Sequence, residues 1–272
     1  MKLDWTAAAE TLDRDGVVCL PGALDAQALA EAQAAWDWSL ANPGPGATRF
    51  AQHSDAVFYN DLYNPNCLTG YRAMLETSPL PGLVARLWGS SHIWFMYEQV
   101  FLKEGGEARR TPWHQDSSYL AIGGPDIAVA WISFDPVTQA DSLEFVRGSH
   151  KGVLYNGSRF ELGDDTAPLH PEASAPRLPD IEADRAAWDI VSYAVEPGDV
   201  VLFHPAILHG GAPTHPGTRR RTLSLRFFGD RSYYDRREGP AGPRVSGLHQ
   251  RLKPGDLFRD PSFLELPVGA PV

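Results

Sequence analysis

The sequence predicts a mainly β domain with flanking helices, and two observations carry that prediction. Turn formers are abundant, with Gly 25 and Pro 23 among 272 residues, which favours many short strands over long helical bundles. Aromatic and β-branched runs recur from about Ile93 onward, whereas the Ala-, Gln- and Glu-rich stretch lies near the start. A chain of this length suits one domain with a sizeable core. Its 43% hydrophobic and 21% charged content is ordinary for a globular protein. We therefore read residues 1–272 as a single domain.

The elements follow in order. Val17 to Leu20 is a short strand ended by Pro21-Gly22. Asp25 to Leu40 is rich in helix formers and is stopped by Asn42-Pro43-Gly44-Pro45-Gly46. A second helix is predicted over Leu80 to Leu87, with Gly89 as its C-cap. Trp94 to Leu102, Ala128 to Phe134, Val200 to Phe203 and Thr222 to Phe228 are strands by composition. Asn156 to Trp188 carries four prolines and many acids without a period. A loop of that length inside a compact domain is either a solvated acidic insertion or an active-site lid, and both readings stand.

Charge and composition exclude some classes. A net charge of −10 argues against nucleic acid or an anionic membrane as the main partner. Met1 to Glu10 lacks an apolar signal core and no run of 18 apolar residues follows. Cys19 and Cys67, without CxxC spacing, read as free thiols. A cytoplasmic protein acting on a small molecule is expected.

The chemistry lies in two histidines and one carboxylate. Nine histidines and 34 acids in 272 residues make about one chance His-x-acid, and three occur: His53/Asp55, His114/Asp116 and His170/Glu172. The first lies in a polar stretch and the third in the proline-rich loop, where Pro disfavours a strand. His114-Gln115-Asp116 follows a strand and a charged turn, and residues two apart on a strand share a face. Downstream, Glu196-Pro197-Gly198-Asp199 delivers a buried-type strand. His209 then precedes Gly210-Gly211, where absent side chains let backbone or ligand come close. A 2-His-1-carboxylate face leaves metal positions open, as non-haem iron oxygenases require, whereas a structural zinc site is closed by four protein ligands. Arg220, eleven residues after His209, suits a carboxylate by charge-assisted pairing, with Arg219 and Arg221 as adjacent alternatives.

These pieces together resemble the phytanoyl-CoA dioxygenase family of Fe(II)/2-oxoglutarate oxygenases. The matching text is Trp113-His114-Gln115-Asp116, Trp131-Ile132-Ser133-Phe134-Asp135, Gly148-Ser149-His150-Lys151, Glu196-Pro197-Gly198-Asp199, and His209-Gly210 followed by Arg220. The opening Asp15-Gly16-Val17-Val18 to Pro21-Gly22 is similar too, so coverage runs from about residue 10 to 230. Arg147 stands where the family often has proline. The resemblance implies a double-stranded β-helix, the jelly roll of cupin-like proteins. It implies His114, Asp116 and His209 as iron ligands, Arg220 as partner of the distal carboxylate of 2-oxoglutarate, and Gln99 and Trp131 against the cosubstrate. With O2, such an enzyme hydroxylates or otherwise oxidises a small organic substrate and releases succinate and CO2. Related halogenases lack the carboxylate, so Asp116 favours hydroxylation. His150 and His204 read as structural or supporting. A metal-dependent hydrolase or isomerase on a cupin-like barrel, and a catalytically silent binding barrel, are the rival readings. Family members act on acyl-CoA thioesters, amino acids and natural products, and fold does not choose among them.

Alternation extends the reading to the substrate. Tyr97, Gln99, Phe101 and Lys103 share one strand face, and so do Arg220, Thr222, Ser224 and Arg226. Arg226 falls about 20 Å along the strand from Arg220. An inward arginine needs a partner. That partner is either a protein carboxylate, for which the acid-rich loop from Glu161 to Asp184 offers many candidates, or an anionic group of the substrate. Tyr97 joins it as a candidate substrate contact.

Overall fold

The computed structural model describes residues 3–50, 57–104, 109–215 and 217–268. In chain order the elements are α1 (Trp5–Asp15), β1 (Val17–Leu20), α2 (Ala26–Ala41), β2 (Thr48–Phe50), β3 (Val57–Leu62), α3 (Leu68–Thr77) and α4 (Leu80–Trp88). These are followed by β4 (Ile93–Glu104), β5 (Thr111–His114), β6 (Ile122–Gly123), β7 (Ile127–Ser133), β8 (Leu143–Val146), β9 (Ile190–Ser192) and β10 (Val200–Phe203). The chain ends with β11 (His209–Gly211), β12 (Arg219–Phe228), β13 (Tyr233–Tyr234), α5 (Leu248–Arg251) and β14 (Leu264–Leu266). The helix read as Asp25 to Leu40 is α2, with Asp25 as its cap accepting the Ala28 N–H at 2.8 Å. The second predicted helix is α4, closed by Gly89 at φ 67. Helices α1 and α3 and the short strands β3, β5, β8, β9 and β11 were not anticipated as elements.

The large sheet runs β1-β10-β7-β12-β4-β3-β2, with β14 added to β4. The smaller sheet is β5-β11-β8-β9. Pairing is antiparallel throughout both. The fold is a jelly roll with helices on one face, as the family resemblance implied. Period-two alternation divides the large sheet. Ala128, Ala130 and Ile132 of β7 join Val200, Leu202, Leu223, Leu225 and Phe227 in a core shared with α1 to α4. Val129, Trp131, Val201 and Phe203 face the opposite way, against Phe145 of β8. All seven residues of β7 are buried because both its faces are covered.

One irregularity sets which residues of β4 look inward. Arg226 pairs with Tyr97 but Phe227 pairs with Phe95, so Met96 is an extra residue, a bulge. Beyond it Tyr97, Gln99, Phe101 and Lys103 lie opposite the inward row Arg226, Ser224, Thr222 and Arg220. Cys19 is half-buried and Cys67 buried, and both are free thiols. Among the described residues no helix is long and apolar enough to cross a membrane.

On the helix-facing side of β4 the bulge places Glu98, which is 1% exposed. One oxygen accepts the Asn64 N–H at 2.9 Å, and the Cys67 thiol neighbours the carboxyl. Burial, with Asp61 adding to it, pushes the Glu98 carboxyl above the ordinary range. A carboxyl raised in the folded state contributes its stability below the unfolded pKa of about 4.3 and loses it as pH rises through the folded value. Glu98→Gln keeps the acceptor for Asn64 and removes the ionisation. Its melting temperature relative to the parent protein should therefore rise from pH 5 to pH 8 in thermal unfolding. A difference that is constant or falls over that range would show that Glu98 is not ionising at a cost.

Candidate metal centre

His114 ends β5 and His209 opens β11, and the antiparallel register makes them direct partners. Their rings lie 4.2 Å apart between centroids. Each ring is oriented in the same way: Nδ1 meets the carbonyl oxygen two residues earlier, Pro112 at 2.8 Å and Ile207 at 3.0 Å. Assigning Nδ1–H as the donor in these bonds leaves both Nε2 lone pairs free for a ligand role. Gly210 beside His209 suits a tightly packed position. A Cβ there would meet Arg110 Nη2 at 2.9 Å and the Thr111 carbonyl at 3.0 Å, across the β5–β11 pair.

Asp116 completes the group, but not from a strand. Strand β5 stops at His114, Gln115 stays extended at φ −124 and ψ 120, and Asp116 opens a 3-10 turn. The extended middle residue is enough to preserve the shared face on which the sequence reading relied. Gln115 is held by its buried amide, which donates to the carbonyls of Val153 at 3.0 Å and Ala206 at 2.7 Å and accepts the Tyr155 N–H at 2.8 Å. Asp116 Oδ1 lies 3.5 Å from His114 Nε2 and 4.0 Å from His209 Nε2. The three ligand atoms fall within 4.8 Å of one another.

The electrostatics suit a cation. Burial alone would raise the Asp116 carboxyl, but Arg226 beside it, with the two histidines, holds it well below the carboxylate range. Burial and the neighbouring His114 push His209 down to about 3, so its ring is neutral at physiological pH. Two imidazoles and one carboxylate form the donor set of a 2-His-1-carboxylate site, and iron(II) fits it. Of the other two His-x-acid pairs, only His170/Glu172 falls within the described residues, and it takes no part in the group. His53 and Asp55 lie outside the described residues. His170 is half-buried with Glu172 exposed in the proline-rich loop. His150 and His204 meet main-chain carbonyls at Asp13 and Gly124, which is structural work.

Alternation sorts the three consecutive arginines. Arg219 and Arg221 both reach Asp135, Arg221 through several contacts with the shortest at 2.9 Å. Arg220 turns the other way and meets two main-chain carbonyls, those of Asp141 and Ala212. Directly opposite it on β4 is Lys103, 4% exposed, with its ammonium 4.7 Å from the centre of the Phe58 ring on β3. Neither makes an ion pair with a carboxylate of the described residues. Burial lowers Arg220 to about 10, and burial with Arg220 nearby lowers Lys103 to about 7. Like charges directly opposed across strands are destabilising, and an anion between them would relieve that repulsion. The sequence placed Lys103 on this face without a role. The signal available was a lysine in an inward row, which is rarely buried without purpose.

Arg226, 5% exposed, finds its carboxylate at the metal centre and not in the acidic loop. Nη2 donates to Asp116 Oδ2 at 2.8 Å and to Gln99 Oε1 at 2.8 Å. Gln99 also donates to Asn60 at 3.1 Å. The guanidinium lies 4.4 Å from the Tyr97 ring centre, and Tyr97 stacks on Tyr63 at 3.8 Å. Trp131 is buried on the same inner side and pairs with Ser224, between Arg220 and Arg226 and nearer the latter.

The 156–188 segment covers this end of the barrel. Phe160, 40% exposed and at φ 55, sets its ring edge-on to His114 at 5.3 Å and stacks near Tyr119. Tyr119 Oη donates to the Ser158 carbonyl at 2.7 Å. Farther along, Glu182 accepts from the Trp113 indole at 2.6 Å and pairs with Arg110.

Comparison with known proteins agrees with this geometry. The sequence profile described as phytanoyl-CoA dioxygenase matches residues 12–222, a span that includes all three candidate ligands and Arg220. A probable phytanoyl-CoA dioxygenase of Caenorhabditis elegans is 31% identical over 129 residues, 44% of this chain and 37% of that protein. L-Proline trans-4-hydroxylase of Streptomyces griseoviridis is 29% identical over 164 residues, 57% of this chain and 61% of that protein. The chain thus spans between about a third and three-fifths of the length of these curated relatives. Among solved structures, the non-heme alpha ketoglutarate dependent epimerase SnoN from nogalamycin biosynthesis superposes with TM-score 0.69 at 20% identity, covering 95% of this chain and 97% of that one. EctD from S. alaskensis with 2-oxoglutarate and 5-hydroxyectoine gives TM-score 0.64 at 20% identity, covering 93% and 87%. At such identity the likeness is one of fold. The profile match over most of the sequence is more specific, and by it the chain belongs to the phytanoyl-CoA dioxygenase family.

Proposed function

We propose that this protein is an Fe(II)- and 2-oxoglutarate-dependent dioxygenase that hydroxylates a small organic substrate and releases succinate and CO2. The observation that carries the reading is the buried triad His114, Asp116 and His209, with three protein donors converging within 4.8 Å. Its membership of the family supports it, as do the hydroxylases among its relatives and fold neighbours. Iron held there, with 2-oxoglutarate and O2, supplies oxidative decarboxylation of the 2-oxoacid coupled to oxidation of a substrate C–H bond.

The chain's own residues prepare that chemistry. His114 and His209 present Nε2 atoms oriented by their main-chain bonds, and Asp116 stays ionised beside Arg226. Arg220 and Lys103 would hold the distal carboxylate of 2-oxoglutarate, replacing their mutual repulsion with two charge-assisted contacts. Gln99 and Trp131 line the same interior between that pair and the triad. The 156–188 segment would act as a lid, with Phe160 keeping water from the His114 side of the site. A conformational cost at the positive φ of Phe160 suits a residue held in place for function. Two free thiols are consistent with a reducing compartment such as the cytoplasm.

His114→Ala and His209→Ala should each lose iron binding and 2-oxoglutarate turnover while keeping the far-ultraviolet circular dichroism of the parent. Iron content and succinate release measure this, and near-parental turnover in either variant would remove that residue from the ligand set. Arg220→Ala should weaken 2-oxoglutarate binding by roughly 10- to 150-fold, the effect of losing a charge-assisted bond of about 1.5–3 kcal/mol. Arg219→Ala and Arg221→Ala, which lose contacts to Asp135 and, for Arg221, to the Phe134 carbonyl, should leave that affinity nearly unchanged. Anaerobic titration of the three variants decides. Only protonated Lys103 attracts a dianion. In the parent protein 2-oxoglutarate affinity should therefore fall as pH rises through about 7, and Lys103→Met should flatten that dependence. A parallel pH profile in the variant would exclude Lys103 from the site.

A further inference from the structure

Two rings wall the side of the metal centre next to His114. Phe160 comes from the proline-rich segment and Tyr119 from the end of the turn that Asp116 opens. Each stands edge-on to the His114 ring, Phe160 at 5.3 Å and 77°, Tyr119 at 6.4 Å and 68°. The two are nearly parallel to one another, with 6.3 Å between centroids and 14° between planes. The arrangement is held from several directions. Ser158, 1% exposed, accepts the Tyr119 hydroxyl on its carbonyl at 2.7 Å and the Phe160 N–H on its Oγ at 2.9 Å. The same Oγ donates to the Asp165 carbonyl at 2.9 Å. Gly157 lies so close that a Cβ would meet Tyr119 Cζ at 2.9 Å. These bonds keep Phe160 at its positive φ, which a bulky residue holds only where its surroundings over-determine it.

What these rings leave open is apolar. The Tyr119 hydroxyl and the Phe160 N–H are both committed to Ser158. Burial pushes the Tyr119 phenol up, so it carries no charge at neutral pH. Phe160 nevertheless stays 40% exposed while it is held against a candidate metal ligand. A ring whose only task was to exclude water would gain by being buried. Of the five large apolar side chains exposed among the described residues, Val153, Phe160 and Leu162 all belong to this stretch of chain. Exposed apolar surface beside a site marks contact with a ligand or partner.

We propose that Phe160 and Tyr119 form the wall on which the substrate lies, and that the substrate carries an aromatic or equally flat apolar ring and is oxidised at a carbon on or next to it. The inference rests on the oxygenase reading and names its substrate class. Aromatic rings favour offset-stacked and edge-to-face neighbours at centroid distances of about 4.5–7 Å. A flat ring can meet that preference against Phe160 and Tyr119 together, because their planes agree. A saturated ring or chain has no π-face and gains only burial. Phe160 thus selects the substrate, and the bound substrate completes the exclusion of water that Phe160 begins.

Benzyl alcohol and cyclohexylmethanol test the wall directly, being neutral, alike in size and different in the ring. The parent protein is loaded anaerobically with Fe(II) and 2-oxoglutarate and titrated with each, with calorimetry as the readout. Benzyl alcohol should bind saturably and about 2- to 10-fold more tightly than cyclohexylmethanol, the effect of an aromatic pair. Burial alone would favour the saturated probe, which is the more apolar. Phe160→Leu keeps an apolar side chain and removes the ring, so it should bind the two probes alike. Phe160→Ala should weaken benzyl alcohol binding by about tenfold or more. Iron and 2-oxoglutarate affinities should change little in either variant, because Phe160 supplies neither a ligand atom nor a charge. Absence of saturable benzyl alcohol binding, or equal binding of cyclohexylmethanol, in the parent protein overturns the proposal without any variant. An undiminished preference for benzyl alcohol in Phe160→Leu also overturns it, since the probe would then lie elsewhere. If iron or 2-oxoglutarate affinity falls in step with probe binding, Phe160 supports the metal centre and the substrate assignment fails. Succinate release from 2-oxoglutarate by the parent protein, measured separately, tells failure of this proposal from failure of the oxygenase reading.

Discussion

Strand β12 lies between β4 and β7, and its two faces divide the molecule. Leu223, Leu225 and Phe227 are fully buried against the helix layer, while Thr222, Ser224 and Arg226 point into the barrel. A slip of one residue in either neighbouring register would exchange those sets, sending Arg226 into the hydrophobic core and Leu225 towards the metal centre. Burial of each large apolar side chain there is worth about 1.5–3 kcal/mol, so the core itself enforces the register. Everything charged in the barrel depends on that constraint. It sets Lys103 opposite Arg220, and Tyr97 opposite Arg226, through a bulge at Met96 that brings β4 into phase. The smaller sheet supplies the remaining parts by the same means, since the β5–β11 pairing makes His114 and His209 cross-strand neighbours.

Much of this was legible because alternation and punctuation are local. The core strands β7, β10 and β12 and the helices α2 and α4 show in composition and caps. The inward placement of Arg220 and Arg226 follows from period two alone. The triad was legible by spacing only with help from the family resemblance, because a His-x-acid pair occurs by chance. What could not be read depends on contacts between distant segments. The bulge at Met96 is visible only in the pairing of β4 with β12. Two-, three- and four-residue strands such as β5, β8 and β11 carry too few positions to show a period. The partner of Arg226 was sought in the acid-rich 161–184 stretch, because that stretch offers many carboxylates. The fold brings it Asp116 instead, from 110 residues away.

The middle residue of the His-Gln-Asp motif shows how a small signal carries structural content. Gln115 points away from the metal site, and its amide ties the end of β5 to Val153 and Tyr155 on one side and to Ala206 on the other. The Ser117 N–H adds a bond to the Pro205 carbonyl at 2.9 Å. These bonds hold the turn on which Asp116 sits and at the same time anchor the root of the 156–188 segment and the approach to His209. Ligand geometry and loop placement are thus coupled through one buried amide, and a polar network of this kind is rigid only when each member is satisfied.

The acidic segment raises an electrostatic question, because a chain of net charge −10 would have to admit a dianionic cosubstrate. The loop's acids are largely neutralised where they stand. Asp165 pairs with Arg109, Asp164 with Arg177, Glu161 with Arg159, and Glu182 with Arg110 and Arg185. Such pairs at the surface add little stability, but they replace a repulsive rim with one of mixed sign. The interior has the opposite character, with guanidiniums and an ammonium in excess over carboxylate. Surface charges are screened beyond about 8–10 Å at physiological salt, whereas buried ones are screened far less. An anion that passes the rim is therefore governed by the cationic row of β12 and β4, and the overall negative charge is no barrier to acidic ligands.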